Sequence, residues 1–311
     1  MQIKTFTSIV YFALFSIAIG ASQARADDDC RYDARPAISF IEIQSVDIRT
    51  FQPLTVKGKL NVPVIKNKQD KCEVEQQGHP AVVILHGSGG VDLRGDFHAR
   101  ALNAKGIATL EIDMWEARGV EGLANRPPHP IFTYPDAFAA LAFLSAYPGI
   151  NPARIGVMGF SWGGVITMAS ATEIYASQFG GPLRFKAHVA HYPVCYAYNN
   201  TNIPYTEFGS NAGNPLTGAP ILIQIGEKDD YDEGAARCVA LKASLPANER
   251  PLVTVVPYAG AHHAWDRLMV PVTVQDPFAH LGAGGMVRIE PNVDQAYQAQ
   301  EKAVRFFLEK L

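Results

Sequence analysis

A serine stands among glycines in Gly159-Phe160-Ser161-Trp162-Gly163-Gly164, directly after a β-rich apolar run and at the head of a helical pattern. Glycines remove Cβ atoms where a chain turns sharply from strand to helix, and that turn would force Ser161 onto a strained, exposed elbow. A helix N-terminus beneath the serine favours negative charge developing there. The bland reading is a glycine-rich turn with a capping serine, and the strand-to-helix context weighs against it. A lone hydroxyl is a poor nucleophile; it needs a base, and the base needs an orienting acid. Carboxylates follow the run 221–225 in Gly226-Glu227-Lys228-Asp229-Asp230, and histidines follow the run 252–256 in Tyr258-Ala259-Gly260-Ala261-His262-His263-Ala264-Trp265-Asp266. Taken as Ser161, Asp229, His263, the order is nucleophile, acid, base, which is unlike that of chymotrypsin or subtilisin.

Upstream, His86-Gly87-Ser88-Gly89-Gly90 follows the run 81–85. Small residues there let backbone N–H groups approach a substrate oxygen, so the N–H of Ser88 (or Gly89), with that of Trp162, would form an oxyanion hole. His86 precedes the turn and reads as structural. A phosphate cradle would need a P-loop lysine or a GxGxxG spacing, and neither is present. No CxxC or HExxH occurs, so no metal is expected, nor any organic cofactor.

These residues need a scaffold that brings several strand ends to one rim. Two apolar alternations, 38–48 and 54–64, read as antiparallel strands. From residue 81 onward, β-rich runs at 81–85, 107–112, 155–158, 187–190, 221–225 and 252–256 alternate with helical patterns at 96–104, 135–146, 162–177 and 234–245, and an amphipathic helix at 293–311 closes the chain. That alternation predicts an α/β fold with a mostly parallel sheet and helices on both faces. Segments 116–130, 191–219 and 266–292 are irregular and rich in Gly, Pro and aromatics, and loops this long are more often binding surface than filler.

The 311 residues are 48% hydrophobic and 18% charged, with a formal net charge of −3, which provides no basic field for nucleic acid. Lys4, an apolar run over 6–20 and Ala24-Arg25-Ala26 read as a secretory signal over residues 1–26, cleaved after Ala26. The run is shorter than the ~20 residues a membrane span needs. Cleavage leaves 27–311 as one domain with a charge of about −5, exported to a bacterial periplasm or secreted, with no membrane contact. Cys30, Cys72, Cys195 and Cys238 would then meet an oxidising compartment. Three pairings are possible; Cys30–Cys72, tying the N-terminus to the first strands, and Cys195–Cys238, joining two loop-adjacent segments, are favoured.

The chain resembles the dienelactone hydrolase family of α/β-hydrolases in LHGSGG (85–90), IDMWEARG (112–119), RIGVMGFSWGG (154–164), IGEKDD (225–230) and YAGAHHAWD (258–266). The resemblance implies the α/β-hydrolase fold from about residue 81 to the C-terminus. It favours Asp229 over Asp230 as the acid, three residues after the turn glycine, and His263 over His262 as the base, before a small residue and an aromatic. Similar exported members carry cysteines placed like Cys195 in Tyr192-Pro193-Val194-Cys195 and like Cys238, which supports that bridge. The family's namesake has a cysteine nucleophile where this chain has Ser161, a change that suits ordinary esters and puts the lactone substrate in question. About thirty residues separate the runs 187–190 and 221–225, too few for a large lid.

The expectation is an exported serine hydrolase of small or medium carboxylic esters or lactones, acting through an acyl-enzyme. A peptidase-like amide hydrolase on the same residues, and a binding module that keeps the fold without turnover, are the alternatives. Asp113, Arg118, Tyr192 and Trp265 are weaker candidates for the pocket wall. A loop salt bridge for Arg118, and packing beside the histidine loop for the two aromatics, are the structural alternatives.

Overall fold

The strand His79–Leu85 (β3) is buried along its whole length, and its residues Ala81–Leu85 belong alternately to two apolar layers. Val82 and Ile84 face one cluster, and Ala81, Val83 and Leu85 face the other, as the two-residue repeat of a strand requires. The computed structural model describes residues 30–66, 73–122 and 125–311. The signal segment 1–26, Cys72 and therefore the Cys30–Cys72 pairing lie outside the described residues.

Around β3 are β1 (Ala37–Asp47), β2 (Gln52–Val62), β4 (Ala108–Asp113), β5 (Ile150–Phe160), β6 (His188–His191), β7 (Ile221–Lys228) and β8 (Val253–His262). They form an eight-stranded sheet in the order β1-β2-β4-β3-β5-β6-β7-β8. The strands β1 and β2 are antiparallel, β2 meets β4 antiparallel, and the pairs from β4 to β8 are parallel.

The helices are α1 (Glu73–Gln77), α2 (Leu93–Asn103), α3 (Tyr134–Ala146), α4 (Trp162–Ser170), α5 (Glu173–Gly180), α6 (Ala236–Ser244), α7 (Ala279–Gly282) and α8 (Val293–Lys310). On one face α8 packs Ala296, Ala299, Ala303 and Phe307 into the layer with Val82 and Ile84. On the other, α3 packs Phe138, Leu141 and Leu144 against Val83 and Leu85. The sheet is thus covered on both sides, the arrangement its apolar parallel strands demand.

Two elements differ from the sequence pattern. The single helix expected over 162–177 is broken at Thr172, whose backbone is extended (φ −109°, ψ 147°). Thr217 N–H donates to Ala171 O at 2.9 Å there, so a long-range contact interrupts a helical periodicity. Segment 266–292 contains an antiparallel hairpin of β9 (Val272–Asp276) and β10 (Gly285–Ile289). Between β6 and β7 lie only two short 3-10 turns, Cys195–Ala197 and Ser210–Ala212, so no large lid is built there.

Candidate active site

Ser161 occupies the turn between β5 and α4 with φ 52° and ψ −109°, a strained left-handed conformation for a residue with a side chain. The flanking glycines permit it. A Cβ on Gly159 would lie 2.0 Å from Gly163 O, and one on Gly163 would lie 2.2 Å from Leu85 O. Gly163 N–H donates to His86 O at 3.1 Å, and Ser161 N–H to His191 O at 3.0 Å, so the elbow is tied to the ends of both neighbouring strands.

The strand order puts β7 and β8 at the same rim. Asp229 follows β7, and His263 follows β8. His263 Nδ1 lies 2.8 Å from Asp229 Oδ2, and His263 Nε2 lies 2.9 Å from Ser161 Oγ. A carboxylate only accepts, so Nδ1 carries the proton and Nε2 accepts from the serine hydroxyl. The second carboxylate oxygen of Asp229 accepts Tyr231 N–H at 2.9 Å. All three side chains are buried or nearly so. The imidazole is held between two tyrosine rings, Tyr231 at 4.4 Å and Tyr192 at 4.7 Å between centroids. Asp230 points elsewhere, its Oδ2 accepting Arg288 N–H.

On the opposite side, residues 87–90 close a tight turn in which Gly90 N–H donates to Gly87 O at 3.0 Å. His86 braces it. Met114 N–H donates to His86 Nε2 at 2.9 Å, so Nδ1 is the protonated nitrogen and donates to Gly87 O at 2.7 Å. Burial pushes the imidazole down to about 4, which keeps it neutral. Trp115 Nε1–H donates to Ser88 O at 3.1 Å, turning that peptide's carbonyl toward the protein. Trp162 begins α4, where the first N–H groups of a helix have no acceptor in their own helix.

Between the turn and the elbow opens a cleft with about 80 Å³ of space, lined by Ser88, Ser161 and Trp162 together with aromatic residues such as Tyr134, Tyr205 and Phe278. Its walls draw on all three irregular segments, through Arg126, His129 and Pro130 in the first, Val194 and Tyr205 in the second, and Asp276 with Phe278 in the third. Arg126 bonds Asp276 Oδ2 at 2.8 Å and stacks between the rings of Trp162 and Phe278.

Several expected wall residues are elsewhere. Arg118 is not in the cleft; it is buried in a pair with Asp136 at 2.6 Å and also donates to Met114 O and Phe132 O, because it closes the loop after β4. Asp113 accepts Trp115 and Glu116 N–H and shapes the same loop. Tyr192 and Trp265 are fully buried behind His263, in edge-to-face contact with one another at 5.1 Å between centroids, so they are packing residues and form no wall. Arg126 and Asp276 had no motif to mark them, only the irregular segments that carry them, and Tyr231 directly follows the motif at 225–230 without being singled out.

Among the described residues, two buried groups have the spacing of metal ligands: His98, His191 and Asp266, and Cys195, Asp232 and Cys238. In the second, both sulfurs are joined in the Cys195–Cys238 disulfide. In the first, both Asp266 oxygens already accept, one from the Tyr192 hydroxyl at 2.6 Å and one from His98 Nε2 at 3.1 Å.

A family model for dienelactone hydrolases matches residues 72–307. No curated protein matches the chain. Among solved structures, an esterase of Pyrobaculum calidifontis is similar at 17% identity over 88% of this chain and 86% of its own, with a TM-score of 0.55. Thermogutta terrifontis esterase 2 phosphoramylated by tabun is similar at 15% identity, over 88% and 95%, with a TM-score of 0.59. A dienelactone hydrolase from Anabaena variabilis is similar at 17% identity, over 89% and 99%, with a TM-score of 0.55. At these identities the solved structures bear on the fold alone.

Proposed function

The chain belongs to the dienelactone hydrolase family and is a carboxylic ester hydrolase, and we propose that it works as an exported serine esterase through an acyl-enzyme. The observation that carries this reading is the hydrogen-bonded series Ser161, His263, Asp229 at the rim of three strands, opening on an apolar cleft. Ser161 Oγ attacks the acyl carbon while His263 Nε2 takes its proton, and the carbonyl electron pair moves onto oxygen. The N–H groups of Ser88 and Trp162 receive that oxyanion, each at a typical gain of about 3 kcal/mol. Asp229 holds the imidazole by Nδ1 and stabilises its charged form. Collapse breaks the bond to the alcohol, which leaves with the proton from His263. Water, deprotonated by the same imidazole, then releases the carboxylic acid from Ser161.

The cleft favours neutral acyl groups of small or medium size. Its walls are aromatic and aliphatic, and the Arg126 charge is already paired with Asp276. An acid-bearing lactone would have to displace that carboxylate. Export is supported by the signal-like pattern of residues 1–26 and by the Cys195–Cys238 bridge. Among the described residues no helix is long and apolar enough to cross a membrane.

The test is a panel of p-nitrophenyl esters graded by acyl length and charge, run on the wild type and on Ser161→Ala. Turnover of neutral esters that disappears in the variant, at unchanged melting temperature, is the expected result. Undiminished hydrolysis by Ser161→Ala overturns the proposal.

A further inference from the structure

A buried arginine lies under both halves of the site without touching the cleft. Arg94, on the first turn of α2, sets its guanidinium in a bidentate pair with Asp92 at 2.7–2.8 Å, and its third nitrogen donates to the Tyr192 hydroxyl at 3.2 Å. The same guanidinium sits over the Phe160 ring and directly against the oxyanion turn, for a Cβ on Gly87 would lie 3.2 Å from its Nη2. Tyr192 passes the connection on. Its hydroxyl accepts from Arg94, donates to Asp266 Oδ1 at 2.6 Å, and its ring packs on the His263 imidazole.

Asp266 stands three residues after His263, in a loop whose Ala264 and Leu268 both have left-handed backbone. Such a loop needs an external anchor to keep one conformation. The fully buried Asp266 carboxylate supplies it. Burial alone would raise its pKa, but the His98 hydrogen bond, His191 and the Arg94 charge overcome that and hold it well below the usual carboxylate range. The chain of bonds therefore keeps its charge.

We infer that Arg94, Tyr192 and Asp266 are positioning residues, a buried chain that fixes the His263 loop in register with the oxyanion turn at Gly87. None of them touches substrate. The inference rests on the proposed roles of Ser161, His263 and the oxyanion donors. A displacement of about 1 Å between base and oxyanion site is enough to slow chemistry on the order of 100-fold while leaving ground-state binding intact.

Tyr192→Phe removes the linking hydroxyl and keeps the ring on the imidazole, so it is the decisive variant. We expect its kcat on a neutral p-nitrophenyl ester to fall on the order of 10- to 100-fold, with KM within about twofold and fluorophosphonate labelling of Ser161 slowed in parallel. Arg94→Met should lower kcat similarly, and the double variant should lose no more than the worse single variant, since both break one chain. Thr109→Val serves as the structural control; it removes a buried hydroxyl bonded to Asn61 and Asn103, away from the site, and should lower melting temperature without changing kcat. Wild-type kcat in Tyr192→Phe, or losses that multiply in the double variant, overturns the inference. Turnover by Ser161→Ala overturns the functional reading beneath it, whereas an inactive Ser161→Ala beside a fully active Tyr192→Phe overturns the positioning chain alone.

Discussion

Breaking the Cys195–Cys238 bridge should destabilise the protein and loosen the cleft together. The bridge joins positions 43 residues apart and is buried at both ends. In the chain-entropy account a closed loop of that length is worth about 4 kcal/mol at 25 °C. For a domain of roughly this size each kcal/mol moves the melting temperature by about 2–4 °C, so Cys195→Ala/Cys238→Ala should melt about 8–16 °C below the wild type. Cys195 N–H and Tyr196 N–H both donate to Asp232, at 2.7 and 2.6 Å, and Asp232 lies in the turn that carries Asp229. Val194, Tyr196 and Ala197 line the cleft beside them. KM for a neutral ester should therefore rise severalfold in the double variant. Differential scanning calorimetry and steady-state kinetics at 25 °C read the two effects. A melting temperature within about 3 °C of the wild type would refute the entropy argument, and an unchanged KM would refute the bridge's part in shaping the wall.

Asp276→Asn removes the charge that neutralises Arg126 in the cleft; kcat/KM for an acyl chain ending in a carboxylate should rise about tenfold relative to its neutral counterpart, a gain of about 1.4 kcal/mol, and an unchanged ratio would contradict the charge assignment. Burial pushes His188 down to about 4, below the value of 6.5 it has when unfolded, so its contribution to stability is present above pH 6.5 and is lost as pH falls toward 4. His188→Gln should make urea-measured stability less steep between pH 6.5 and 4.5 by up to about 1.4 kcal/mol per pH unit, and parallel curves would count against it. Glu111 and Asp232, raised by burial to about 7 and about 8, act with the opposite sign: their contribution is full at low pH and is lost as pH rises through those values. Glu111→Gln should therefore flatten the decline in wild-type stability between pH 5 and 7, as read by the same urea titration.

The α/β order and the parallel strands were legible because buried parallel strands read as unbroken apolar runs, as the five residues Ala81–Leu85 of β3 do. Ser161, Asp229 and His263 stood out since each follows such a run at a turn whose residue types are restricted. Arg126 and Asp276 did not. They meet across 150 residues of sequence, in segments where only composition could be read. Tyr192 and Trp265 drew attention as aromatics beside the motifs, yet both rings are fully buried, packed on one another and, through Tyr192, on the His263 ring. The break at Thr172 could not be foreseen from its own neighbours, as its cause is a contact with Thr217.

The central claim is that Ser161 carries the acyl group. Incubation with a fluorophosphonate, followed by peptide mass spectrometry and residual activity on a neutral ester, tests it most directly. One adduct on the peptide containing Ser161, accumulating in step with the loss of turnover, is the predicted result. Loss of turnover with Ser161 unmodified, or full activity with Ser161 modified, would contradict the account.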